Sequence, residues 1–154
     1  MMQTQNLNII HNGQQLMGFS FADLPLAAAI AVACQQVDQS ADAARRTVLV
    51  DPLRAFEYER TALQARHFVS LSDQSEVPPT VQSWADACGI TPQAAAESII
   101  FKANAWDAAL YAIRDTRLKG KETVKKLLDH HAVLLAADTA IDIIQKSVEG
   151  LETA

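Results

Sequence analysis

Four histidines and two cysteines are the side chains of this sequence best suited to metal binding or nucleophilic chemistry. His130 and His131 are adjacent, so on a helix their side chains point about 100° apart and do not converge on one metal ion. Cys34 and Cys88 match neither a disulfide framework nor a zinc-ligand spacing. We therefore expect these residues to be structural, with His130 satisfied by a neighbouring polar group.

The carboxylates also give no catalytic pattern. Asp138 and Asp142 lie one helical turn apart and could share a cation, but neither a histidine nor a third acid accompanies them. A solvated helix face is the simpler interpretation. The sequence contains no GxSxG, glycine-rich phosphate loop, HExxH or dinucleotide-binding fingerprint. It therefore predicts a protein that is not an enzyme and that has no metal and no cofactor.

The composition predicts a mainly helical fold. The chain has 154 residues, of which 49% are hydrophobic and 20% charged, enough for one ordinary core. Glycine and proline number 5 each and aromatic residues make up 6%, whereas alanine, the strongest helix former, is abundant. The net charge of −5 argues against a nucleic-acid-binding protein. The longest apolar run, residues 24–34, is too short to cross a bilayer, so we expect no membrane association and a cytoplasmic location.

The first 22 residues differ from the rest and predict a β-hairpin. Two apolar runs flank Asn12 and Gly13, a pair suited to a type I′ turn because both central residues of that turn need positive φ. An isolated two-stranded ribbon is only marginally stable in water. The hairpin must therefore lie on the helical body, or pair with a sheet edge of a partner or of a second copy.

Hydrophobic periodicity and capping signals predict that the rest of the chain forms helical hairpins or a helix bundle. After the β-hairpin segment 1–22, we expect three helical segments, at 23–71, 72–120 and 121–154. Five helices are expected near 23–46, 52–71, 80–88, 92–119 and 121–150. Residues 47–50, three of which are β-branched, separate the first two helices, either as a short strand or as the crossing between helices. Gly120 marks a bend, a break or a close contact between helices. The residues expected in the core are Leu26, Ile30, Phe56, Leu63, Trp84, Ile99, Trp106, Leu110 and Ile113.

The last segment carries the most regular apolar pattern. Its apolar stripe alternates spacings of three and four over about three and a half heptads, which is typical of a coiled-coil seam. One interpretation is self-association, with Leu134, Ile141, Ile144 and Val148 facing their counterparts in a homo-oligomer. The other is an ordinary amphipathic helix that packs on its own domain.

Two further features suggest partner binding. Six of the 13 basic residues lie between positions 114 and 126, among them Arg114, Arg117 and Lys121. They form either a solvated helix face or a docking patch for an acidic partner. Trp84 is either a core residue that faces Trp106 or an aromatic anchor of a partner-binding surface.

Several short segments resemble a family of small tail-associated proteins of tailed bacteriophages. In that family an xYE(K/R)xxxEA helix precedes a PPxVxSWAxxxGxTxQxAA segment, followed by a tryptophan-containing helix that ends in IRxxRL. The similarity spans about residues 52–125. The corresponding segments of this sequence are FEYERT (56–61), VPPTVQSWAD (77–86), TPQAAA (91–96), WDAAL (106–110) and IRDTRL (113–118).

The resemblance implies a tail-fibre-associated adaptor or an assembly chaperone. Its partners would be other phage tail or tail-fibre proteins, and it would act in the host cytoplasm during assembly or in the virion tail. The alternative from the residues themselves is a small regulatory protein that binds an acidic partner through residues 114–126.

Overall fold

The computed structural model describes residues 1–48, 51–72 and 75–151. It is mainly helical, with an N-terminal β-hairpin and a C-terminal helix, as predicted. None of the helices in these ranges is long and apolar enough to cross a membrane. The elements are β1 (Leu7–His11), β2 (Gln14–Phe19), α1 (Leu26–Val48), α2 (Pro52–Ser70), α3 (Pro79–Cys88), α4 (Pro92–Val124) and α5 (His130–Lys146).

The chain forms two compact units. Unit 1 comprises residues 1–47 and 110–150, and unit 2 comprises residues 48–109 and 151–154. The second half of α4 therefore belongs with the hairpin, α1 and α5. Of the interruption expected at residues 47–50, Thr47 and Val48 continue α1, and positions 49 and 50 lie outside the described residues.

The predicted hairpin is confirmed, and it lies on the helices of unit 1. β1 and β2 pair antiparallel around Asn12 and Gly13, whose φ angles of 51° and 76° are those that a type I′ turn requires. Leu7 and Leu16 point from one face of the hairpin into the core. The opposite face, which includes Ile10, is exposed.

Hydrogen bonds fasten the segment before β1 to unit 1. The Gln36 side chain accepts from the Gln3 N–H at 2.7 Å and donates to the Gln3 carbonyl at 2.9 Å. The Met2 N–H donates to Asp138, and the Phe21 N–H donates to the Thr4 carbonyl at 2.8 Å. These bonds hold the chain in the position from which β1 starts.

Small side chains dominate the helix contacts of unit 1. Five alanines of α1 are buried against α5 and the second half of α4, together with Val32 and Val37. Small residues let helix backbones approach closely, so that larger side chains such as Ile113 and Ile144 fill the remaining space. The buried alanines of α1 are Ala28, Ala29, Ala33, Ala41 and Ala44.

The helix boundary expected at Gly120 is wrong. α4 continues through this glycine to Val124, and α5 begins at His130 after Asp129, whose side chain accepts from the Ala132 N–H at 2.9 Å. A Cβ at position 120 would lie only 2.7 Å from the Ala140 Cβ. Gly120 therefore allows α4 and α5 to cross closely, which is the contact interpretation of this residue.

Unit 2 consists of α2, α3 and the first half of α4, and local signals set its helix ends. The Asp51 carboxylate accepts from the Leu53 N–H at 2.9 Å, and the Thr91 hydroxyl accepts from the Ala94 N–H at 3.2 Å. Gly89 ends α3 in the left-handed conformation, with φ of 65°. The core that these helices enclose consists of Ala65, Phe68, Val81, Ala85, Ala95 and Ala96.

Two residues expected in the core are exposed. Phe56 and Leu63 have exposed fractions of 68% and 59%, because α2 turns its Ala62, Ala65 and Phe68 side inward instead. Alanines on that side allow a closer approach between helices than a phenylalanine stripe would. Of the other expected core residues Ile113 is fully buried, and six are half-buried: Leu26, Ile30, Trp84, Ile99, Trp106 and Leu110.

Replacing Gly120 with alanine tests the close crossing. We expect Gly120→Ala to lower the free energy of unfolding by about 1–3 kcal/mol, because the steric overlap with Ala140 outweighs the gain in helix propensity. Ala140→Gly in the same chain removes the overlapping methyl group and should restore part of the loss. Urea denaturation of the two single variants and the double variant measures the coupling. Additive effects in this cycle would show that the two helices do not meet at these residues.

Candidate interaction surfaces

The most exposed group of large apolar side chains in unit 2 lies along α2. Leu53, Phe56 and Leu63 have exposed fractions of 78%, 68% and 59%. Their spacing of three and seven places them on one face, and exposed Arg60 and His67 continue that face. We call these five residues the α2 stripe. Single exposed leucines are common, but aligned large apolar side chains indicate an interaction site.

The sequence contains the signal for the α2 stripe, but the pattern is ambiguous. Leu53, Phe56 and Leu63 recur at helical spacing, which predicts a buried face. Ala62, Ala65 and Phe68 recur at the same spacing on another face. Periodicity alone does not show which of two apolar faces a helix buries, and the choice depends on how its neighbours pack.

Trp84 is held within unit 2 rather than presented as a free anchor. It is half-buried beside the core of that unit, and the Lys102 ammonium lies 5.3 Å from its ring centroid. Trp106 is also half-buried and meets Tyr58 edge to face, with ring centroids 5.1 Å apart. Both tryptophans thus contribute to packing.

Two members of the basic segment are engaged inside unit 1. Arg117 and Lys121 both donate to the Asp38 carboxylate of α1, Arg117 at 3.0 Å. Their side chains are only 26% and 24% exposed. Burial alone would raise the pKa of Asp38, but the hydrogen bonds from Lys121 and Arg117 outweigh it and hold the pKa below its ordinary value.

The rest of the basic segment is partly neutralised. Lys119 pairs with Asp115 at 2.8 Å, and Lys125 pairs with Glu122 at 2.6 Å. Within the described ranges, Arg114 and Lys126 have no carboxylate at ion-pair distance, and both are exposed. A docking patch for an acidic partner therefore has fewer available cations than the sequence suggests.

The apolar seam of α5 packs on its own unit. Ile141 and Ile144 are buried in the core, and Leu134 and Val148 are half-buried against it. His130 lies in the same seam, where its Nε2 is 2.8 Å from the Leu24 carbonyl oxygen and its ring meets Phe21 edge to face. These side chains thus pack within their own chain, as expected of an ordinary amphipathic helix that packs on its own domain.

The groups considered for chemistry do not converge. No three His, Cys, Asp or Glu side chains in the described part of the chain are arranged to hold a metal ion. Asp142 pairs with Lys146 at 2.7 Å, whereas Asp138 accepts from the Met2 N–H, so the two aspartates have separate partners. Cys88 is exposed. Cys34 is half-buried, and burial raises the pKa of its thiol, which disfavours the reactive thiolate.

The ion pairs of Asp38 with Arg117 and Lys121 predict that the stability of the fold depends on pH. The Asp38 carboxylate has a lower pKa in the folded chain than its ordinary value of 3.8, so it stabilises the fold above that pH and the contribution fades as the pH falls through the folded pKa. We expect Asp38→Asn to cost about 1 kcal/mol at pH 7, since solvent still screens the group. Urea denaturation should show this difference shrinking below pH 3.8. Asp42→Asn, which removes an exposed pair with Arg45, should cost less at pH 7.

The α5 seam gives a second prediction. Ile141→Asp places a charge in the core and should lower the free energy of unfolding by several kcal/mol at every protein concentration. The neighbouring Ile143 is 46% exposed, so Ile143→Asp should have little effect. Thermal denaturation with sedimentation measures both properties. If the wild type were instead an oligomer and the Ile141→Asp variant a stable monomer, the seam would be an interface between copies of the chain.

No known family model, no curated protein and no solved structure matches this chain.

Proposed function

We propose that this chain is a non-enzymatic interaction protein of a bacteriophage tail, an adaptor or an assembly chaperone that binds its partner through the α2 stripe. The observation that carries the interaction role is the exposure of Leu53, Phe56 and Leu63 on one helix face. Each of these side chains would gain about 1.5–3 kcal/mol from full burial, which a partner can supply. The charged Arg60 lies on the same face and would give the contact specificity.

The phage assignment is supported by the resemblance of residues 52–125 to small tail-associated proteins. The FEYERT segment of that resemblance is residues 56–61, so it contains Phe56 and Arg60 of the α2 stripe. A tail-fibre protein, before or after assembly, would be the partner that covers these side chains.

The alternative is a regulatory protein that binds an acidic partner through residues 114–126. Arg114 and Lys126 are the exposed cations that support it. Arg117 and Lys121 support it less, because an acidic partner would have to displace Asp38 from both of them.

Substitution of the α2 stripe tests the proposed binding surface. The chain is co-expressed with each tail or tail-fibre protein that sequencing of its genomic neighbourhood identifies, and the affinity of each purified pair is measured by calorimetry. Phe56→Asp with Leu63→Asp should weaken binding on the order of 100-fold, because both charges would enter an apolar contact. Leu135→Asp is the matched control, since Leu135 is also an exposed helical leucine, with 61% exposed.

The same experiment has outcomes that contradict the proposal. Full affinity in the Phe56→Asp, Leu63→Asp variant would exclude the α2 stripe as the binding surface. Loss of affinity only in Arg114→Glu with Lys126→Glu would favour the regulatory alternative. A gene that lies outside any phage tail cluster would overturn the phage assignment.

Mass spectrometry of purified particles separates the two proposed roles. An adaptor remains in the virion, so its peptides should be present in stoichiometric amounts. A chaperone leaves after assembly, so it should be found with fibre protein in the infected cell and be missing from particles.

A further inference from the structure

Unit 1 contains an open groove of about 720 Å³. Its walls are the segment before β1, the start of β1, one face of α1 and the end of α5. This volume falls within the range of small ligand sites, roughly 300–1,000 Å³. Among the residues that the structure describes, none that lines the groove has a charged side chain, although 20% of the chain is charged.

Side-chain amides dominate the polar wall of the groove. Gln35 and Gln39 lie one turn apart on α1, and Gln145 of α5 lines the same groove. Gln36, beside them, already shows what an amide can do here, since it binds both the N–H and the carbonyl of Gln3. An amide carries one acceptor and two donor hydrogens, which suits it to an extended peptide backbone.

In the described part of the chain, one edge of the hairpin is unpaired next to this wall. The two-residue turn makes His11 and Gln14 a hydrogen-bonded pair, so Ile9 and Leu16 form the next such pair. The backbone N–H and carbonyl groups of Asn8 and Ile10 therefore point away from β2. Asn8 lines the groove, which places the free edge of β1 at its side.

We propose that this groove binds an extended, uncharged peptide segment of another protein, which adds as a strand to the free edge of β1. The alternating donors and acceptors at Asn8 and Ile10 match an extended backbone. No described side chain of the lining offers a counter-charge, so the lining favours neutral residues of the peptide. The described lining also contains no aromatic ring on which a sugar could stack, which favours a peptide over a carbohydrate. The site is separate from the α2 stripe and does not depend on the proposed function.

A peptide array tests the ligand class. The full chain is applied to uncharged peptides of about seven residues, capped at both ends and built from Val, Thr, Ile, Ser, Gln and Ala. We expect binders rich in β-branched residues, with dissociation constants in the micromolar range. N-methylation along the best binder should weaken it about tenfold at every second residue and have little effect between them, because only alternate N–H groups face β1.

Two proline variants locate the strand addition. Ile10→Pro removes an N–H from the free edge of β1, whereas Gln15→Pro removes the equivalent N–H from the opposite edge, on β2. Neither N–H belongs to the β1–β2 ladder. Ile10→Pro should weaken the best peptide about tenfold, and Gln15→Pro should leave its affinity unchanged.

Several results would overturn the proposal. One is that no peptide of the array binds with a dissociation constant below about 1 mM. Another is that N-methylation has equal effects at all positions, and a third is that the two proline variants bind the peptide with equal affinity. Binding of neutral oligosaccharides in competition with the peptide would assign the groove to carbohydrate. A wild-type dimer that Ile10→Pro dissociates would assign it to a second copy. The methylation test uses the wild-type chain, so it stands even where a proline variant does not fold.

Discussion

The close crossing of α4 and α5 at Gly120 is the constraint on which unit 1 depends. A glycine opposite Ala140 brings the backbones of α4 and α5 together. The buried alanines of α1 likewise allow that helix to pack closely in the same core. Helices this close leave little space for large side chains between them. The larger apolar residues of this core come from these helices, as Ile113 and Ile144 do, and from the hairpin, which contributes Leu7 and Leu16.

Because the hairpin contributes side chains to the core of unit 1, its inner face and its edge lie in different environments. Its inner face is part of the core and is fixed by the tether between Gln3 and Gln36. Within the residues that the structure describes, the sheet nevertheless has two strands, so each strand keeps one free edge. A hairpin whose face is packed in the core while its edge stays open is well suited to receive another strand, because packing reduces the ordering that binding must still supply.

Local chemistry made part of the fold predictable from the sequence. Asn12 and Gly13 tolerate the positive φ that a type I′ turn requires, Gly89 ends a helix in the left-handed conformation, and Pro92 follows its cap Thr91. Each of these signals acts within a few residues. The continuation of α4 past Gly120 was not predictable in this way, since the space at that glycine is defined by Ala140 in another helix. The pairing of Asp38 with Arg117 and Lys121 likewise joins residues about eighty positions apart.

The difference between local signals and contacts with other helices also explains why the sequence did not predict the exposure of the α2 stripe. α2 has two apolar faces, and the structure buries the one whose alanines permit close packing with α3 and α4. Among its described residues, this unit of three helices has no further element over the second face, so Phe56 and Leu63 stay in contact with solvent. Leaving large apolar side chains exposed is unfavourable for the isolated chain. The exposed stripe thus makes sense if its stabilising contact lies in a partner rather than in the fold, and that inference needs no catalytic or cofactor chemistry.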